Sequence, residues 1–261
     1  MSTILREGHT RLAGILGEGI ELVEVFARAE EHRSYWRPEE SRVVLLAESH
    51  VFTDSAELRR TLLPFPGLPA DAPRGFVRLV YSLGYGENDQ LDQPILSPRN
   101  SGTPQYWKIF QSCLRSMGVT TNYGAIQVSH TPASVERLQN KLTVLRQLRE
   151  RGIWLVDASI AALYLPAQPK PAPRVREAVL QASWDAYTKF SVEQAAPSGV
   201  LCIGVGVARA LRTRLDRLGV PWAAVHQPQA HLSSEEHARI LATYSAVCED
   251  PRRIGLVPSL G

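Results

Sequence analysis

Residues 200–231, VLCIGVGVARALRTRLDRLGVPWAAVHQPQAH, carry the pattern that decides the fold. Val200-Leu201-Cys202-Ile203 is a short continuous apolar run, the pattern of a strand buried on both faces. Gly204 and Gly206 interrupt it, and Val207, Leu211, Leu215 and Leu218 then return at helical spacing. Gly219-Val220-Pro221 closes that helix, and Trp222-Ala223-Ala224-Val225 is a second short strand, ending at His226-Gln227-Pro228. Two buried strands joined by a helix lie parallel, because the crossover returns the chain in its original direction. A parallel sheet is covered on both faces and binds ligands beyond the carboxyl ends of its strands.

Working outward, Val43-Val44-Leu45-Leu46-Ala47 and Ile153-Trp154-Leu155-Val156 read as further buried strands. Phe76-Val77-Arg78-Leu79-Val80-Tyr81 is a third strand-like run, inside a proline- and glycine-rich region over 61–103. Helical spacing appears over 11–30, 104–117, 135–149, about 174–190 and 233–247. The last of these has Ser233 or Ser234 as N-cap and Glu235 and Glu236 in its first turn. Pro166 to Pro173 reads as a connecting loop. The expectation is one α/β domain over 1–261 on a mostly parallel sheet, with residues 1–35 as an N-terminal helical extension.

The 261 residues are 44% hydrophobic and 21% charged, enough to bury a substantial core. No run of eighteen apolar residues occurs, and Arg6, Glu7 and Arg11 interrupt what a signal peptide would need. A cytoplasmic protein without a membrane partner is therefore expected. Cys113, Cys202 and Cys248 form no C-x-x-C pair, so neither a disulfide framework nor a metal site is expected. The net charge of +3 permits a polyanionic partner through a local patch but does not identify one. Gly204-Val205-Gly206 begins like a dinucleotide fingerprint, but Arg209 occupies the third glycine position, which argues against a nicotinamide cofactor.

Three strand candidates end in polar clusters: Glu48-Ser49-His50, Asp157-Ala158-Ser159 and His226-Gln227-Pro228. Each can serve merely to satisfy backbone groups at a strand-to-loop junction. In a parallel sheet, however, all three are brought toward one crevice.

The order and spacing of VVLLAESHV (43–51), GIWLVDAS (152–159) and the 200–231 unit resemble the motifs of the uracil-DNA glycosylase superfamily. That family has a strand followed by G-Q-D-P-Y or G-E-x-P-G, a strand ending L-L-L-N, and a strand-helix-strand unit leading into H-P-S-P. The resemblance extends loosely over residues 40–235. It implies a three-layer sandwich with a central, mostly parallel four- or five-stranded sheet. The implied function is a monomeric, cofactor-free enzyme hydrolysing the N-glycosidic bond of a flipped-out uracil or other modified or deaminated base in DNA. A catalytically silent nucleic-acid-binding member of the fold and a nucleoside- or nucleotide-processing hydrolase are the alternatives.

The departures from the family pattern shape the candidate site. Ala47 stands at the family's glycine, Ser49 at its usual catalytic aspartate and His50 at its usual proline. Glu48 becomes the leading catalytic carboxylate, with Ser49 and His50 beside it and His226 placed to hydrogen-bond the departing base. Asp157 stands where the family's asparagine reads uracil. An ionised aspartate only accepts, which opposes uracil O4 and suits an exocyclic amino group. Phe52, Phe76, Tyr85 and Ser159 complete the substrate-binding candidates, the aromatics by stacking on a flipped base. Asn100, Ser101, Gln229, His231 and Leu232 are the candidate DNA contacts, Leu232 as a wedge or as part of the final helix's packing. Arg99, Lys108, Arg209, Arg212 and Arg214 are candidate phosphate contacts.

Overall fold

The computed structural model describes residues 3–95, 102–166, 168–227 and 232–257. In chain order the described elements are α1 (Thr3–Leu16), α2 (Val23–Tyr35), β1 (Val43–Ser49), the single turn α3 (Ser55–Leu58), α4 (Pro104–Ser116), α5 (Ser134–Glu150) and β2 (Ile153–Ser159). After these come α6 (Pro173–Ser183), α7 (Lys189–Ala195), β3 (Gly199–Ile203), α8 (Val205–Asp216), β4 (Trp222–Val225) and α9 (Ser234–Glu249).

The four strands form one sheet in the order β2-β1-β3-β4. Every pairing in it is parallel, with Leu45 opposite both Leu155 and Leu201, and Leu201 in turn opposite Ala223. β1, β2 and β3 are buried along almost their whole length, as their unbroken apolar runs require. Helices α1, α6 and α8 pack in one group, and α4, α5 and α9 in another. This arrangement is compatible with a three-layer sandwich.

Three expectations are corrected. The helix expected over 11–30 is two helices, because Gly17 and Gly19 take φ of 74° and 100°, a region closed to a continuing right-handed helix and open chiefly to glycine. The run Phe76–Tyr81 is not a strand. Its buried side chains feed the core, but its backbone turns on itself, with Leu79 N donating to Val77 O and Ser82 N to Leu79 O. The helix expected over about 174–190 is broken by a π-helical turn at Trp184–Thr188. That turn brings the Thr188 hydroxyl onto the carbonyls of Asp157 and Ala158 at 3.3 and 3.2 Å.

The N-terminal helices are built into the core. Leu12, Val25, Phe26 and Ala29 belong to the same buried cluster as the sheet. Glu21, in the α1–α2 connection, accepts from Thr53 N at 2.6 Å, Ala162 N at 2.9 Å and His50 Nε2 at 2.9 Å. One carboxylate thus ties the loops that follow β1 and β2 to the N-terminal segment.

His32 on α2 is fully buried and donates from Nε2 to Gly75 O at 2.7 Å. Burial lowers its pKa to about 4 from 6.5. Above pH 6.5 the imidazole is neutral in both folded and unfolded chains. Between pH 6.5 and 4 only the unfolded chain gains the proton, so stability falls with pH, by about 3 kcal/mol in total. Urea midpoints measured from pH 7.5 to 4 are expected to drop more steeply for the native chain than for His32→Gln. Parallel curves would contradict this placement of His32.

Candidate functional site

A cleft of about 1330 Å³ opens at the carboxyl ends of the strands. Glu48 and Ser49 from β1, Asp157 from β2, Ile203 from β3 and Gln227 just beyond β4 all line it, as parallel-sheet topology dictates. Its remaining walls come from the loop after β1, which contributes Phe52, the loop carrying Tyr85, the first turn of α4 with Tyr106, and the segment after β2 with Tyr164.

Glu48 is one of the acidic residues lining the cleft, with Asp54, Glu57 and Asp157. Its side chain is 10% exposed, its Oε2 accepts from the Tyr164 hydroxyl at 2.9 Å, and its Oε1 lies 3.6 Å from Arg176 Nε. Arg176 comes from α6 and crosses Gly206 at the start of α8. A Cβ on Gly206 would lie 2.9 Å from the guanidinium, so the glycine makes room for the cation. Burial and the Glu48 carboxylate push the Tyr164 hydroxyl upward, which keeps it a proton donor to Glu48.

Asp157 is deeper. Its Oδ2 accepts from Arg33 Nη2 at 2.6 Å, and both side chains are 3% exposed. An ion pair this far from water persists only when both charges stay paired. Tyr106 stands within the field of both cleft carboxylates. Burial first, and then Asp157 and Glu48, push its phenol well above the usual range, so it remains a neutral hydroxyl.

Several sequence candidates meet at this cleft: Glu48, Ser49, His50, Phe52, Tyr85 and Asp157, with Gln227 beside the candidate His226. The His50 side chain itself is fully buried and paired with Glu21, which holds the loop after β1. Others are placed differently. The Ser159 hydroxyl is fully buried and closes a turn on Ala161, donating to its carbonyl at 2.7 Å. Phe76 is sealed in a satellite cluster with Tyr85, Leu91 and Ile95, and its ring meets the Tyr85 ring edge-on at 6.3 Å. Phe76 therefore backs a cleft aromatic instead of stacking on a ligand. His226 is half-buried, near the Glu236 carboxylate of α9, and the neighbouring Gln227 is the residue that lines the cleft. Gln227 lies over Gly204, whose φ is 110° and where a Cβ would come within 2.9 Å of Gln227 Cγ.

Leu232 packs on the core, beside an α9 start capped by reciprocal Ser233 and Glu236 hydrogen bonds. Asn100, Ser101, Gln229 and His231, with Arg99, lie outside the described residues. Of the proposed phosphate contacts, Arg214 pairs with Asp185 through a two-pronged hydrogen bond, while Arg209 and Arg212 are exposed on α8.

Sequence reasoning missed Arg33, Tyr106, Tyr164 and Arg176. Arg33 carried a readable signal, because it continues the buried stripe of α2 at Val25, Phe26, Ala29 and His32. A cation on such a stripe requires a buried partner. No protein-family model matches the chain, and no similar protein is found among curated proteins.

Proposed function

We propose that the chain is a DNA-glycosylase-like enzyme that hydrolyses the N-glycosidic bond of a base flipped out of DNA into the strand-end cleft. The observation that carries this reading is Glu48: a largely buried carboxylate, held by Tyr164 and Arg176, opening on a cleft walled by Phe52, Tyr85 and Tyr106. The reaction joins water to the sugar C1′ while the C1′–N bond breaks and its electron pair leaves with the base. Glu48 takes the water's proton and offsets the positive charge growing on the sugar. Gln227, through its amide, donates to the departing base. The aromatic walls hold the extruded base, and Lys170 at the cleft faces the negative backbone. The parallel α/β sheet and the sequence resemblance support the same assignment.

One observation favours a second reading, a silent DNA-binding protein: both Glu48 oxygens already have partners in the resting site. Incubation with labelled single- and double-stranded oligonucleotides containing uracil, hypoxanthine, cytosine or 5-methylcytosine, followed by alkali, separates the two. Strand cleavage at one of these bases is expected. DNA binding without cleavage establishes the silent reading, and turnover of free nucleosides alone establishes a nucleoside hydrolase.

A further inference from the structure

Asp157 lines the cleft, yet the residue that fixes its chemistry comes from α2, a helix remote from the strand-end motifs. Arg33 Nη2 donates to Asp157 Oδ2 at 2.6 Å, both side chains being 3% exposed. Arg33 also lies 3.5 Å from Glu30 Oε2, and the Trp154 indole donates to the Arg33 carbonyl at 3.0 Å. The guanidinium is thus held between two carboxylates, and it donates to Asp157, whose carboxylate oxygens face it as acceptors.

We infer that Arg33 is a positioning residue for substrate choice, and that the Arg33–Asp157 pair restricts the cleft to bases presenting an exocyclic amino group beside a ring-nitrogen acceptor. This rests on the glycosylase reading. Cytosine-type pyrimidines and adenine share that edge. The amino group donates to Asp157, and the Tyr106 hydroxyl, kept protonated first by burial and then by Asp157 and Glu48, donates to the ring nitrogen. Uracil and hypoxanthine instead turn a carbonyl oxygen toward a fixed carboxylate, leaving two acceptors in opposition.

The test compares excision of cytosine, 5-methylcytosine and adenine with excision of uracil and hypoxanthine. Native protein and the double variant Arg33→Met/Asp157→Asn are used, the latter removing both buried charges together. An amino-over-carbonyl preference of at least about a hundredfold is expected for the native chain, collapsing at least about tenfold in the double variant. A native preference below about threefold, or the same preference in both proteins, overturns the inference while leaving the glycosylase reading intact. If no base is released from any oligonucleotide, the glycosylase reading falls. Calorimetry with 1-methylcytosine, 9-methyladenine and 1-methyluracil then decides the inference alone: tighter binding of the first two by native protein supports it, and equal or absent binding overturns it.

Discussion

Arg33→Met is expected to lower the stability of the chain by about 3–5 kcal/mol, the cost of leaving a buried charge without its partner. Asp157 is 3% exposed and its Oδ2 receives the Arg33 guanidinium at 2.6 Å, so loss of the cation leaves a nearly buried charge with little water to replace its partner. Asp157→Asn leaves Arg33 with Glu30 as its remaining partner and is expected to cost less. The double variant Arg33→Met/Asp157→Asn removes both charges and recovers most of the loss, since neutral groups of similar volume avoid the desolvation penalty. Domains of this kind hold only about 5–15 kcal/mol in total, so either single variant shifts the urea midpoint visibly at an unchanged slope. Single variants within about 1 kcal/mol of the native chain would show that the pair is not sealed from solvent.

Glu48→Gln is expected to reduce base release by about a hundred- to ten-thousandfold with little change in DNA affinity. The amide keeps the volume of the carboxylate and can still accept from Tyr164, but it can neither take a proton from water nor offset charge on the sugar. Arg176, 36% exposed, is then left facing a neutral group, which is tolerable at that exposure. Single-turnover excision rates and filter-binding affinities, measured on one substrate, separate the two effects. Unchanged excision would remove Glu48 from the mechanism, and lost DNA binding would make it a structural residue.

The strands were the most legible part of the sequence. Val43–Ala47, Ile153–Val156, Val200–Ile203 and Trp222–Val225 all announced themselves as short apolar runs, because a parallel strand buried on both faces has no room for polar alternation. Their polar ends at Glu48, Asp157 and Gln227 meet in one cleft, since parallel topology brings the carboxyl ends together. The failures share a cause: apolar residues report burial more faithfully than backbone conformation. Phe76–Tyr81 is buried like a strand but turns on itself, and Ile15 and Ile20 kept helical spacing across two glycines with positive φ. Glu21, which accepts three hydrogen bonds from two separate loops, leaves no periodic trace at all. Its partners are brought together by tertiary folding alone. The same holds for Tyr106, Tyr164 and Arg176, each on a different segment around the cleft.

The most direct measurement of the central claim is mass spectrometry of the products after the native chain acts on oligonucleotides in water enriched with oxygen-18. The account predicts a free base in the supernatant and an equimolar abasic sugar carrying one oxygen-18 at C1′, both forming at least about a hundredfold more slowly with Glu48→Gln. Intact oligonucleotide, with no free base and no labelled sugar on any substrate offered, would contradict it.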